Sequence, residues 1–171
     1  MAIEEEGRAF VRALLRRNRV VRVATTSPSG APTVAPIWYW FGGDFIASTM
    51  PESATVRNIQ RTGVATVLVD EGADYADLRG AIVETSARAY LDSEAPPELM
   101  AAIAEEDAKY ADEIAELVIV RDALSSGTAS RRPTYRLLLR PERALWYVLG
   151  GSVSGRVTFS DATTEDDGHA E

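Results

Sequence analysis

The 171-residue chain has no cysteine and a single histidine, His169. Without thiols there are no disulfides, thiolate nucleophiles, iron–sulfur clusters or cysteine-ligated zinc. One imidazole near the end of the sequence argues against a Ser-His-Asp triad and against a multi-histidine metal site. No apolar run approaches the roughly 18 residues needed to cross a bilayer. The chain begins with Glu4, Glu5 and Glu6, where a signal peptide would carry bases followed by an apolar stretch. The expectation is a cytoplasmic protein without a membrane partner. Lysine is nearly missing too, with Lys109 alone beside 17 arginines. Arg131-Arg132 is too short a basic run to predict nucleic-acid binding.

What is present suits one compact globular domain over residues 1–159, followed by a disordered acidic tail at 160–171. The net charge of −8 is unevenly spread. Residues 161–171 hold five acids and no Lys or Arg, and residues 94–116 hold eight acids and one lysine. The remainder has 17 bases against 13 acids, so an anionic ligand is compatible with the rest of the chain.

Hydrophobic spacing predicts an N-terminal helix over residues 3–17, with Phe10/Leu14 and Val11/Leu15 as i,i+4 pairs. Strands are predicted at Val20–Thr26, Thr33–Phe41 and Phe45–Thr49, the last two joined through Gly42-Gly43-Asp44. Pro36 inside the second strand marks an edge, a bulge or a close approach, because proline cannot donate to a ladder. A short helix follows at Ser53–Arg61, then strands at Val64–Val69 and about Asp77–Tyr90. Pro96-Pro97 opens an acidic helix running to about Leu117, and Ser125–Arg132 is a polar loop. Final strands are predicted at Thr134–Leu139 and Ala144–Leu149, separated by Arg140-Pro141-Glu142-Arg143. No strand–helix alternation and no glycine-rich phosphate loop follow the first strand, so the pattern is an antiparallel barrel with peripheral helices.

Three places could carry chemistry. Ser48 to Asn58 takes a strand ending in hydroxyls into a helix start, an arrangement that can receive an anion. Arg57 and Arg61 lie at i,i+4 on that helix; the plainer reading is an ordinary Ser53 N-cap with solvated arginines. Val34-Ala35-Pro36-Ile37-Trp38-Tyr39-Trp40 either walls a planar ligand or fills core and interface, and Trp146-Tyr147 divides in the same way. In Leu78-Arg79-Gly80, Arg79 either faces a phosphate or pairs with a glutamate. Glu105-Glu106-Asp107 and Asp112-Glu113 read as a solvated helix face, since no cation-loop pattern surrounds them.

In order, these landmarks resemble the pyridoxamine 5′-phosphate oxidase-like proteins, and most closely their flavin/deazaflavin oxidoreductase branch. The resemblance covers roughly residues 10–149: Val23-Ala24-Thr25 before a Ser-Gly turn, Pro32 to Tyr39, Ser53 to Ile59, Leu78-Arg79-Gly80, and Arg140 to Arg143 before Trp146. It implies a mainly β, six-stranded antiparallel split β-barrel with peripheral helices. It also implies a homodimer with FMN or coenzyme F420 at the subunit interface. Val34, Ala35, Pro36, Ile37 and Trp38 would line the cofactor ring. Thr49, Ser53, Thr55, Arg57 and Asn58 would receive its phosphate, and Arg79 and Trp146 would lie near it, from either subunit. Ala54-Thr55 stands where members usually carry a lysine, with Arg57 the nearest base. The implied activity is hydride transfer between the cofactor and a small unsaturated substrate, with Tyr39 and Tyr110 as candidate proton donors. The arginine-rich composition leans toward F420. The alternatives are a non-catalytic flavin or tetrapyrrole carrier, where tyrosine would have to ligate haem, and a structural dimer with a decayed site.

Overall fold

The computed structural model describes residues 2–113, 115 and 133–159. Residues 114, 116 and 117 of the expected acidic helix, the loop Ser125–Arg132 and the tail 160–171 lie outside the described residues.

Helix α1 (Ala2–Arg17) starts with acids, ends with Arg16 and Arg17, and turns Val11, Leu14 and Leu15 fully inward. The chain then builds β1 (Val20–Thr26), β2 (Pro32–Trp38), β3 (Trp40–Phe41) and β4 (Ile46–Pro51). After α2 (Ala54–Thr62) come β5 (Val64–Glu71) and β6 (Arg79–Leu91). A 3-10 turn at Asp92–Glu94 leads to α3 (Pro97–Lys109), and β7 (Thr134–Val148) and β8 (Val153–Thr158) follow. All strand pairs are antiparallel, in the order β2-β1-β5-β6-β7-β4-β3, with β8 also on β7.

The mainly-β, curled antiparallel fold is as expected, but the described residues form eight strands, where the residue pattern predicts seven and the resemblance implies six. Three local effects account for the difference from the residue pattern. The predicted strand to Phe41 divides at Tyr39, whose side chain turns into the core between β2 and β3. The two predicted final strands are one, β7, because the register slips opposite Glu84/Thr85. That bulge takes up Pro141 without ending the strand, while the N–H of Phe159 donates to the Glu142 carbonyl at 2.8 Å. Finally β8, a short exposed strand without a clear apolar alternation, has no counterpart among the predicted elements. Helix α3 ends at Lys109, with the Tyr110 N–H donating to the Glu106 carbonyl.

The sheet closes on itself through Tyr39. β2 begins the strand path and β3 ends it, and this one residue joins them. Its hydroxyl donates to the Leu15 carbonyl at 2.6 Å, satisfying an orphan acceptor in the last turn of α1. Ser48 Oγ donates to the Trp38 carbonyl at 2.6 Å across the remaining gap between β4 and β2. Tyr110 covers this corner: its ring stacks on Trp38 at 5.1 Å, and its hydroxyl donates to the Arg19 carbonyl at 2.8 Å. The main core lies inside the curl under α1 and α2, and a second cluster (Ala47, Leu99, Ala102, Ile103, Leu138) forms under α3.

Glu106 is buried at that second cluster, and its Oε2 has no hydrogen-bond partner among the described residues. Burial pushes its carboxyl from 4.5 up to about 8, with Asp107 adding to the rise and Arg136 and Lys109 opposing it. A carboxyl whose folded pKa exceeds its unfolded value loses its stabilising contribution as pH climbs between the two. The protein should therefore weaken from about pH 4.5 to 8, and Glu106→Gln should flatten that profile. At pH 8.5 the variant should be the more stable by on the order of 1–3 kcal/mol; equal profiles in chemical denaturation at both ends of the range would refute the assignment. Tyr39→Phe should cost about 1–3 kcal/mol, read as a lower urea midpoint at unchanged slope, because the Leu15 carbonyl loses its donor.

Candidate functional site

The start of α2 is built as the sequence suggests. Ser53, in extended conformation, caps it by accepting from the Val56 N–H at 3.3 Å, and Gly63 closes it in the left-handed region at φ 70°. The Ser53 hydroxyl itself faces Met50 Sδ at 3.8 Å. The amides of Ala54 and Thr55, in the first turn, have no intrahelical acceptor and remain for an outside one. Thr55, Val56, Asn58 and Ile59 are the buried face of the helix. Asn58 Nδ2 donates to Thr25 Oγ1 at 3.1 Å and so fixes α2 to β1. Arg57 and Arg61 lie on the outer face. Arg57 pairs with Glu52 at 3.3 Å, and Arg61 donates to the Thr26 carbonyl.

Beside this helix runs β2, which pairs only with β1 among the described residues. Pro36 therefore sits on an edge strand, opposite Arg22, where its missing N–H costs nothing to the ladder. Thr33, Ala35 and Ile37 face inward, while Val34 (61% exposed) and Pro36 face the outer surface. A hollow of about 290 Å³ on that outer surface is bordered by Ala24, Thr26, Thr66, Glu84 and Arg143.

The remaining expected residues lie elsewhere. Thr49 is opposite Arg136 in the ladder, on the face of β4 that turns Ala47 toward α3, and its hydroxyl accepts from Arg136 Nη1 at 2.5 Å. Arg136 also donates to Asp92 at 2.6 Å. Thr49 thus belongs to a polar cluster under α3, apart from the α2 cradle. Arg79 pairs with Glu71, which Arg17 also holds; these hydrogen bonds, the one from Arg17 foremost, keep the Glu71 carboxyl below its usual range. Ala87, eight residues further along β6, donates its N–H to the Gly63 carbonyl at the C-terminal end of α2. Gly80 is required beside Arg79 because a Cβ would meet Tyr147 Oη and the Val69 carbonyl at 2.6 Å each. Trp146 points inward beneath α1, against Phe10 at 5.5 Å, and it is Tyr147 that faces outward.

Tyr39 and Tyr110 are both buried with their hydroxyls donated to backbone carbonyls, and burial raises both pKa values. Neither presents a proton to a cleft. The sequence reading missed Thr25 and Arg136, which act through long-range partners, and it placed Glu106 on a solvated helix face, whereas α3 turns that residue into the core. Only Glu106, an acid on an apolar-facing helical position, left a local signal. A cavity of about 720 Å³ lies at the opposite end of α2, between Gly63, Arg88, Tyr90, Pro96 and Arg140. Among the described residues no cluster of three or more acidic, histidine or cysteine side chains could hold a metal ion, and no helix is long and apolar enough to cross a membrane.

No curated protein matches the chain in sequence. Solved structures resemble it throughout the fold. A haem-binding protein from Mycobacterium smegmatis is 19% identical with a TM-score of 0.63; the match covers 92% of this chain but only 58% of that one. A FAD-binding protein from Mesorhizobium loti is 19% identical, with a TM-score of 0.55 over 86% of this chain and 92% of that one. The haem storage protein HutZ from Vibrio cholerae is 13% identical, with a TM-score of 0.56 over 78% and 89%. At such identities these likenesses establish the fold. The sequence profile described as pyridoxamine 5′-phosphate oxidase matches residues 8–144, most of the described barrel, and the chain belongs to that family.

Proposed function

We propose that this protein is a flavin-dependent oxidoreductase that passes a hydride between bound FMN and a small unsaturated substrate, working as a homodimer. The observation that carries the reading is the α2 start beside the open edge of β2. There, free first-turn amides, Arg57 and Arg61 adjoin a strand edge that can meet a planar ring. The FAD-binding neighbour supports a flavin. No neighbour described above is named for F420, so the deazaflavin favoured by composition takes second place.

When bound, a flavin supplies the hydride chemistry. The protein's own part is placement. The Ala54 and Thr55 amides and the Arg57 guanidinium take the phosphate, with Arg57 leaving Glu52 to do so. The β2 edge at Val34 to Trp38 orients the ring. Arg79, held within the chain by Glu71, is taken to contribute from the second subunit. The outer sheet face supports that pairing: Leu68, Ile82 and Leu145 form one cross-strand row, with Ile82 and Leu145 each 39% exposed. Arg22–Asp70 and Glu84–Arg143 ion pairs flank the row, a polar rim around an apolar centre. Covering it would also exclude water from the hollow beside Thr26.

Separate titrations with FMN, F420 and haemin, followed by fluorescence and absorbance, test the reading. FMN should bind, and Arg57→Ala should weaken it about 10- to 100-fold without loss of folding. Binding of haemin alone would favour the tetrapyrrole carrier, and binding of none would sink both. Ile82→Arg should convert the dimer to a folded monomer in light scattering and lower FMN affinity with it. A monomeric parent protein would overturn the interfacial site.

A further inference from the structure

Strand β6 outruns its neighbour. β5 begins at Val64, opposite Ser86, so β6 from Ala87 to Leu91 pairs with β7 alone among the described residues. Gly63, in the left-handed region, ends α2 and sets this limit. Its carbonyl takes the Ala87 N–H at 2.8 Å, and the chain before it is helix and offers no further strand partner. Antiparallel hydrogen bonds alternate in direction, so the Ala89 N–H and carbonyl point to the same side as those of Ala87, into the cavity of about 720 Å³. An unpaired strand edge of this kind offers a donor and an acceptor to whatever enters.

The cavity is within the size range of small-molecule sites. Its apolar wall is formed by Ile59 of α2 and Leu138 of β7, both buried. The charged side chains lining it, among the described residues, are Arg88, Arg140 and Glu98. The Arg140 guanidinium lies over the Phe45 ring at 5.5 Å and donates to Glu98, in the first turn of α3, at 3.1 Å. Arg140 thus already holds a carboxylate, through an exposed contact weak enough to exchange. Two arginines against one glutamate leave one positive charge, which a monocarboxylate neutralises and a phosphate dianion exceeds. We propose that this cavity is a second small-molecule site, apart from the start of α2, and that it takes an N-acylated apolar amino acid. The carboxylate meets Arg88 and Arg140, the amide pairs with the Ala89 edge, and the aliphatic side chain lies on Ile59 and Leu138. A plain fatty carboxylate leaves the Ala89 N–H and carbonyl without partners, and an amide without the carboxylate leaves the positive charge uncompensated.

N-acetyl-leucine titrated into the isotope-labelled full chain, with and without added FMN, tests this by NMR. The backbone amides of Ala89, Tyr90 and Leu138 should shift. The shifts should be the same in both titrations, so failure of the flavin reading leaves this one testable. N-acetyl-leucinamide, which lacks the carboxylate, and isocaproate, which lacks the amide, should each bind about 10-fold more weakly. Arg88→Gln/Arg140→Gln should weaken N-acetyl-leucine about 10- to 100-fold, with the remaining spectrum confirming that the variant is folded. Glu98→Gln should instead tighten it about two- to fivefold, because the resident carboxylate is gone. Absence of shifts at these amides, their loss on adding FMN, or equal binding of either analogue overturns the proposal. So does an Arg88→Gln/Arg140→Gln variant with the parent's affinity.

Discussion

Tyr39 is the residue through which the end of one sheet edge becomes the start of the other, and its hydroxyl is anchored inside the curl on the Leu15 carbonyl of α1. That bond sets more than closure. Side chains alternate along a strand, so with Tyr39 inward, Ile37, Ala35 and Thr33 are inward too, and Trp38, Pro36 and Val34 must face out. A slip of one residue would exchange the two sets. The open β2 edge and its outward Val34 and Pro36 are therefore consequences of burying one phenol against a helix end. The same anchor ties α1 to the seam, where Tyr110 and Ser48 then close what remains.

Polar residues follow the same logic of position. Surface pairs such as Arg22–Asp70 and Glu84–Arg143 contribute little to stability individually. In the dimer proposed above, their place beside an apolar row would make them a means of alignment, since opposed charges fix which surfaces meet and in what register. Arg136 is different. Its side chain is mostly buried and joins Thr49 to Asp92 beneath α3, close to the acid Glu106. This cluster ties the turn before α3 to β4 and β7. It also explains why a threonine expected at a phosphate site is engaged by an arginine of the sheet.

The sequence disclosed elements whose signals are local. The Ser53 cap, the Pro36 edge and the hairpin glycines each follow from the conformation of one or two residues, and all are found where the residues predict them. Features decided by distant partners were not legible. Pro141 reads as a break until the bulge opposite Glu84/Thr85 is seen to absorb it. Trp146 reads as exposed to ligand until α1 is laid across it, and Thr25 has no visible role until Asn58 arrives from 33 residues away. The candidate site divides along the same line. Its helix start was readable, whereas the engagement of Arg79 by Glu71 and of Thr49 by Arg136 was fixed by the sheet order alone.

The substitution of Ala54-Thr55 for the family's usual lysine is constrained by the same geometry. Thr55 is buried against the barrel, so a long cation there would have to leave the core face of α2 to reach an anion. Position 57 has no such obstacle. It lies one turn from Ala54 on the outer face, near enough for its guanidinium to reach the free first-turn amides. Arginine also offers a planar fork that meets two phosphate oxygens at once, which a lysine ammonium does not. Its present partner, Glu52, holds it through an exposed contact of 3.3 Å, a pairing weak enough for a phosphate to displace. The charge missing from the helix start is thus available one turn later, in a side chain free to move.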